Sequence, residues 1–300
     1  TVDLVNSVTL PSSTGFTSYK DNIGEVVNKG FEVQLRSTLL NTKEWYVAVF
    51  ANLAHNENEI TKISDSMKEY NRRVMDKYAN YDTGYNKGDA AYADTYLQYV
   101  EGGSLTSIFA VKSLGINPAN GREVFVRPDG TITYDWNAAD QVVVGNQEPK
   151  IQGTFGFNLR WKQFSLFSTF LYECGGQRYN STLVDKVENA RIADGNVDRR
   201  VLTGRWQKPG DLAPYGRFTK GIVSVTRPTS RFVQDYNMLS FNSLTLGYDF
   251  DMAWMKKAHI GMLRAELSGN DLFHLSTVRI ERGLDYPYAR SFSASLKVSF

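Results

Sequence analysis

Residues 290–300 read Arg-Ser-Phe-Ser-Ala-Ser-Leu-Lys-Val-Ser-Phe, RSFSASLKVSF. On an extended strand successive side chains point to opposite sides, so Phe292, Ala294, Leu296, Val298 and Phe300 share one face. Ser293, Ser295, Lys297 and Ser299 share the other. The alternation continues without a break to Phe300, where chain termini ordinarily become polar and loose. A strand so sharply divided is suited to two different media, one on each side.

The same period of two recurs upstream. In GFEVQLRSTLL (30–40), Phe31, Val33, Leu35 and Leu39 fall on one face and Glu32, Gln34, Arg36 and Thr38 on the other. Asn41-Thr42 is a turn signal, and KEWYVAVFANLAHN (43–56) returns with Trp45, Val47, Val49, Ala51 and Leu53 in step. A second hairpin starts at Ile151, turns at Lys162-Gln163 and returns through FSLFSTFLYE (164–173). NSLTLGYDF (242–250) and MLRAELSGND (262–271) precede the closing strand. These returns are short. The other connections are long and charged: residues 56–95 are rich in tyrosine, and residues 174–237 contain a helix expected over 180–195, capped at Asn180 or Ser181 and stopped at Gly195. Between them, 96–103, 107–115 and 123–135 read as short strands. Strands of about ten residues, short turns at one end and long loops at the other are the pattern of a membrane β-barrel.

Composition sets the outer bounds. The 300 residues are 22% charged with a net charge of +2, and 13% are aromatic. Neither disorder nor the basic field of a nucleic-acid binder is indicated. Mean hydropathy is −0.37. WYVAVFANLA (45–54), the longest mostly apolar run, falls short of the roughly 18–20 residues a membrane helix needs. Cys174 is the only cysteine, and His55, His259 and His274 are far apart, so no disulfide framework or Cys/His metal cluster is expected. The opening TVDLVNSVTLPSSTG lacks the pattern of a signal peptide. Trp45, Tyr46, Phe155, Trp161, Phe164, Tyr172, Tyr248, Phe250, Phe292 and Phe300 fall near predicted strand ends, as in the aromatic girdles of barrels. Taken alone, the hairpins fit equally a soluble or surface β-rich carbohydrate-binding or adhesion domain.

An ordered series of motifs separates these readings. DNIGEVVNKGFEVQL (21–35), LGINPANGREVFVRPDGTIT (114–133), GNQEPKIQGTFGFN (145–158), RVLTGRWQKPGD (200–211), SRFVQDYNMLSFNSLTLGYDF (230–250), LSGNDLF (267–273) and FSASLKVSF (292–300) resemble, in order, segments of the SusC/RagA-type TonB-dependent outer-membrane transporters of Bacteroidota. Departures at Asn117, Asn120-Gly121, Thr154 and Cys174 touch loop conformation only. The resemblance implies an all-β fold: the C-terminal portion of a large antiparallel transmembrane barrel of about 22 strands, with long extracellular loops. Residues 1–300 are then one segment of that barrel, with plug domain, TonB box and signal peptide outside this chain.

The implied activity is import of oligosaccharides, or less often oligopeptides, across the outer membrane, with no enzymatic step. The implied partners are a SusD-like surface lipoprotein, the TonB–ExbB–ExbD complex acting through the N-terminal region, the outer-membrane assembly machinery reading the strand that ends in Phe300, and the lipid membrane. No nucleic acid is implied. Among loop aromatics, Tyr134, Trp136, Tyr179 and Trp206, with Tyr78, Tyr81 and Tyr85, are candidates for stacking on a sugar ring, and Arg199, Arg200 and Arg205 for an anionic ligand; each also suits packing or ion pairing within the loops. Glu57, Glu59 and Asp211 read as surface carboxylates rather than a glycosidase pair. No cofactor is expected. A Ca2+ site in NYDTGYNKGDAAYAD (80–94) is a weak candidate, because its spacing is not that of an EF-hand.

Overall fold

The computed structural model describes residues 5–9, 18–22, 24–79, 92–190, 192, 196–218, 225–257, 259–279 and 290–300. Its strands are β1 (Val5–Thr9), β2 (Ser18–Asn22), β3 (Gly24–Asn41), β4 (Trp45–Ile63), β5 (Ser107–Ile116), β6 (Glu123–Val126), β7 (Ile132–Thr133), β8 (Gln141–Asn146), β9 (Ile151–Trp161), β10 (Phe164–Tyr179), β11 (Val233–Asp249), β12 (Met262–Ser276) and β13 (Ser291–Ser299). The longest helix, α1, covers Asp65–Ala79. The chain divides into two compact units. A sheet unit holds Gly30–Asn56, Pro149–Gly176 and Tyr236–Phe300; a connection unit holds Thr1–Lys29, Glu57–Glu148 and Gln177–Asp235.

The sheet unit is built on seven strands in the order β3-β4-β9-β10-β11-β12-β13. Pairing is antiparallel at β4–β9, β9–β10, β11–β12 and β12–β13. The strands expected near 30–40, 45–54, 151–161, 164–173, 242–250, 262–271 and 290–300 are all present. Five of them, β3, β4, β10, β11 and β12, run longer than the alternation alone suggests. The first turn also differs: β3 continues to Asn41, and Thr42 closes the reversal by donating from its amide to the Trp45 carbonyl at 2.7 Å and accepting from the Trp45 amide at 3.0 Å on its hydroxyl. Lys162-Gln163 makes the two-residue turn expected, with Phe164 opposite Trp161.

The connection unit holds most of the corrections. Residues 96–103 form no strand; that segment is fixed instead by side chains, Asn71 accepting from the Tyr99 amide at 2.9 Å and donating to its carbonyl at 2.7 Å. The charged stretch after residue 56 first continues β4 to Ile63 and then forms α1. Two local devices explain the helix. Ser64 Oγ accepts from the Met67 amide as an N-terminal cap. Arg72 pairs with Glu69 and Asp76, Arg73 with Glu69, and Lys68 with Asp65, all at i+3 or i+4 spacing. Met67, Val74 and Tyr78 form its buried stripe. The helix expected over 180–195 is shorter: Ser181–Leu183 is α-helical, Val184–Glu188 is a π turn, and Asn180 caps it by accepting from the Leu183 amide at 2.9 Å. Gly195 lies outside the described residues. A four-stranded sheet, β7-β6-β5-β8, and the β1–β2 pair complete the unit.

Two apolar cores hold these pieces. Val74 and Tyr78 of α1 pack with Val111, Phe125, Trp136 and Tyr92; Val184, Val187, Val201, Tyr215, Phe232 and Ala93 form the second. Beside the second lies a buried ion triad. Arg231 Nη2 donates to Glu123 at 2.8 Å and to Glu188 at 2.9 Å, and Nη1 to the Pro214 carbonyl at 2.6 Å. Burial by itself would lower the Arg231 pKa, but the two carboxylates outweigh it and hold the guanidinium protonated beyond its ordinary range. One arginine thus clamps the β5–β6 hairpin, the π turn and the start of β11.

Removing the cation alone should be costly. Arg231→Met leaves two buried carboxylates unpaired and should destabilise the protein by about 3–5 kcal/mol, whereas Arg231→Met combined with Glu123→Leu and Glu188→Leu should come close to wild type. Denaturant titration, with proteolysis of the 174–237 segment as a second readout, distinguishes this from a triad of no consequence. For α1, hydrogen bonds from Arg72 and Arg73 lower the Glu69 pKa to about 2 from an ordinary 4.5. A depressed carboxylate stabilises above its unfolded pKa and loses that contribution as pH falls through the folded one. Helix content of a 63–79 peptide, followed by circular dichroism, should therefore fall more for wild type than for Glu69→Gln between pH 4.5 and about 2.

Candidate functional site

Within the sheet unit the two faces are chemically distinct, and register shows how. Phe292, Ala294, Leu296 and Val298 of β13 stand opposite Gly269, Leu267, Ala265 and Leu263 of β12, in one apolar row. Ser293, Ser295 and Lys297 stand opposite Ser268, Glu266 and Arg264 in a polar row. The five residues of the terminal strand singled out from the sequence are all exposed, with Val298 at 42% and Phe300 at 89%. At the far side of the sheet, Phe31, Val33, Leu35 and Leu39 are exposed in the same way, each more than half. A face this apolar and this open marks an interaction with something other than water.

Rings gather at the short-turn end of that face. Trp45 stacks on Trp161 with centroids 5.6 Å apart, Trp161 on Phe164 at 6.1 Å, Phe164 meets Tyr248 at 4.6 Å and Tyr248 meets Phe250 at 4.9 Å. The chain of rings crosses β4, β9, β10 and β11 without a gap. It continues the girdle pattern read from the sequence at this end of the sheet. Backbone bonds tie the turns beneath it: the Lys162 amide donates to the Glu44 carbonyl at 2.8 Å and the Asp249 amide to the Gln163 carbonyl at 2.9 Å.

The opposite face carries a charge ladder. Arg264 donates to Glu266 at 2.8 Å, to Asp249 at 3.0 Å and to Ser165 Oγ at 2.8 Å; Lys297 pairs with Glu266 at 2.6 Å. Four strands, β10 to β13, are joined by these side chains. The reach from β12 to Ser165 on β10 depends on Gly247 of β11. A Cβ there would lie 2.5 Å from both Arg264 Nη2 and Ser165 Oγ, so any side chain would block the crossing. This accounts for the glycine of the Leu246-Gly247-Tyr248 motif. The ladder itself was not found from the sequence, although Arg264, Glu266 and Lys297 fall on predicted polar positions; pairing required the register.

In the connection unit the sequence-selected aromatics are held by specific partners. Trp136 is buried, its indole N–H donating to the Pro228 carbonyl at 2.9 Å, with Tyr78 against one side and Arg227 4.4 Å over the ring. The Tyr179 hydroxyl donates to the Ala93 carbonyl at 3.0 Å, and its ring meets Phe232 edge-on. Burial raises the Tyr179 pKa well above that of an ordinary phenol. Trp206 and Tyr134 are half-buried. The Trp206 indole donates to the Pro118 carbonyl at 2.8 Å, and Tyr134 accepts from Asn117 at 2.6 Å beneath Arg122. The four do not converge on one cluster. Tyr78 is buried and donates to the Asp94 carbonyl at 2.6 Å, while Tyr81 and Tyr85 lie outside the described residues.

The arginines are similarly engaged. Arg200 pairs with Asp198 at 2.7 Å. Arg205, buried, donates to the carbonyls of Val187, Glu188 and Gly216, and desolvation lowers its pKa. Arg199 is exposed. Asp211 closes its own turn by accepting from the amides of Lys208 and Gln207, which lower its pKa. Asn146 of the Gly-Asn-x-x-Pro motif accepts from Thr106 Oγ1 at 2.7 Å and from the Glu148 amide at 3.0 Å, and Gly145 leaves room for the Gln177 side chain. Among the described residues no group of three or more His, Cys, Asp and Glu is placed to hold a metal ion. The Ca2+ expectation falls largely on residues 80–91, outside the described residues.

Comparison with known proteins gives these features a context. No protein-family model matches the chain. It is 25% identical to TonB-dependent receptor P3 of Formosa agariphila over 100% of this chain and 31% of that protein. To TonB-dependent receptor P39 of the same organism it is 24% identical, over 91% and 29%. To TonB-dependent receptor SusC of Bacteroides thetaiotaomicron it is 22% identical, over 100% and 29%. The chain thus spans under a third of the length of the curated relatives it matches. Its fold superposes on the RagAB peptide transporter with a TM-score of 0.73 at 21% identity, over 100% of this chain and 32% of that one. In the 'open-open' state of the RagAB peptide importer the TM-score is 0.72. Along its whole length, then, the chain resembles the SusC/RagA-type TonB-dependent outer-membrane transporters, as its ordered motifs and its antiparallel sheet indicate.

Proposed function

We propose that this chain is the C-terminal part of the barrel of an outer-membrane transporter that imports oligosaccharides, with oligopeptides as the second substrate class. The observation that carries this reading is the seven-stranded sheet with an exposed apolar face, a ring belt at its short-turn end and a hydrogen-bonded charge ladder on its other face. A lipid bilayer outside and a wet lumen inside account for both faces. The long connections then face the cell exterior, where a SusD-like lipoprotein closes over them. Energy comes from TonB, acting on a plug outside this chain.

The chain itself performs no bond chemistry in this reading. Its strands supply wall, its polar rows supply part of the lumen, and its connections supply part of the ligand surface. Among the loop aromatics, half-buried Tyr134 and Trp206 are the candidates to stack on ligand; Trp136, buried, and Tyr179, tied to the Ala93 carbonyl, hold the connections in shape.

Two measurements test the proposal. Cells lacking the intact transporter, or lacking TonB, should lose uptake of fluorescent oligosaccharides above porin size, and calorimetry of the transporter–lipoprotein pair should show oligosaccharide binding. Peptide uptake alone would move the assignment to the second substrate class. Recovery as a monodisperse, detergent-free soluble monomer would overturn the membrane reading in favour of a soluble binding domain. For the wall itself, Phe157→Arg, four residues along β9 from the belt ring of Trp161, should destabilise the liposome-folded protein by about 2–4 kcal/mol, with Asn158→Arg on the polar row costing far less. Urea titration of the two variants makes the comparison.

A further inference from the structure

The apolar face of the sheet unit is not uniform. Between the rings of Trp161, Phe164 and Tyr248 and the leucines at 267 and 296, the small side chains of Ala265 and Ala294 leave a depression of about 810 Å3. That is the size of a small-molecule site, within the roughly 300–1,000 Å3 typical of such pockets. Its walls are mostly hydrocarbon and aromatic, with Ser165, Glu266 and Ser295 also contributing to the lining.

At the turn end, Lys162 adjoins this depression. It follows Trp161 and lies two residues before Phe164, both of which line the cavity. Its ammonium group is 5.8 Å from the Trp161 ring centroid and 3.8 Å from Glu44 Oε1. Lys162 holds φ at +53°, a left-handed conformation that glycine or asparagine adopts at lower cost. Lys43 belongs to the adjoining turn, bonded to the Lys162 turn through the Glu44 carbonyl. Among the described side chains of the three turns at this end, lysines 43, 162 and 257 outnumber Glu44 and Asp251.

We propose that this depression seats an acyl chain of a phospholipid whose anionic headgroup is held by Lys162 and Lys43 above the ring belt. The inference rests on the membrane reading given above. Charge decides the occupant: an apolar groove alone would accept any hydrocarbon or a second copy of the chain, but one that ends at a cationic, aromatic-rimmed interface suits an anionic amphiphile. Tryptophan and lysine at that depth match the headgroup boundary.

Native mass spectrometry of the intact, delipidated transporter tests this with phosphatidylglycerol and phosphatidylcholine of identical acyl chains. Wild type should retain one phosphatidylglycerol molecule in clear preference, and each neutralised lysine should weaken that preference by about fivefold. Lys162→Gly suits the left-handed turn and removes the charge, so folding is not the limit; Lys43→Gln is its companion. Ala294→Leu fills the groove and should reduce retention of both lipids, with heat-modifiable gel mobility confirming an assembled barrel. Equal retention of the two lipids by wild type would overturn the proposal, as would unchanged retention in all three variants or lipid-independent dimers that mask the groove. A protein that extracts without detergent fails the membrane reading itself, a result separate from loss of lipid preference.

Discussion

In the proposed barrel, each strand of the sheet unit has to satisfy two surroundings at once while leaving no backbone group unpaired. In hydrocarbon an unsatisfied amide or carbonyl costs several kcal/mol, so the ladder bonds between neighbours are obligatory rather than merely favourable. Once the ladders are fixed, the pleat dictates the rest. A residue opposite Leu267 must suit what Leu267 faces, and a residue opposite Arg264 must suit what Arg264 faces. The apolar rows and the polar rows are therefore consequences of pairing, and a slip of one residue would exchange them throughout a strand.

On the polar side this constraint becomes a network. Arg264 sits directly opposite Lys297, a like-charge pair that would be unfavourable if left alone. Glu266 resolves it by accepting from both, at 2.8 Å and 2.6 Å, and Asp249 takes a further guanidinium edge. Gly247 extends the network one strand further by leaving the path to Ser165 open. A glycine in the middle of a strand weakens it locally. Here the loss is offset by a charged side chain that reaches Ser165 on β10, a strand that β12 does not pair with.

Legibility in the sequence divides along the same physical line. The strands of the sheet unit were readable because each carries its own periodic signal; GFEVQLRSTLL or RSFSASLKVSF needs no partner to be recognised. What defeated local reading was anything set by contact between distant segments. The buried stripe of helix α1, Met67, Val74 and Tyr78, is set among charged residues that pair around Glu69 and Arg72, so its composition resembled a charged loop. Residues 96–103 read like a short strand, yet Asn71 takes both backbone bonds of Tyr99 and Ile60 bonds to Gly102 and Gly103. Arg231 joins Glu123 and Glu188, more than a hundred and more than forty positions away, and no spacing rule reports such a triad. The aromatics Trp136 and Tyr179 were visible as residues but not as anchors, because their partners are the carbonyls of Pro228 and Ala93.

The edges of the sheet carry the same reasoning to the scale of the transporter. Among the described residues β3 and β13 each have a single neighbour in the seven-stranded sheet. Both strands also expose apolar rows, at Phe31, Val33 and Leu35 and at Phe292 and Leu296. In water such edges invite aggregation, and in a bilayer they are not tolerated. In the proposed transporter the remaining strands of the barrel supply the missing partners, so that closure of the sheet, and not any local feature of β13, makes a strand ending in Phe300 stable. The alternation that begins the reading of this sequence is thus only half of the strand's requirement: side chains divide two media, and a neighbour on each side must pair the backbone between them.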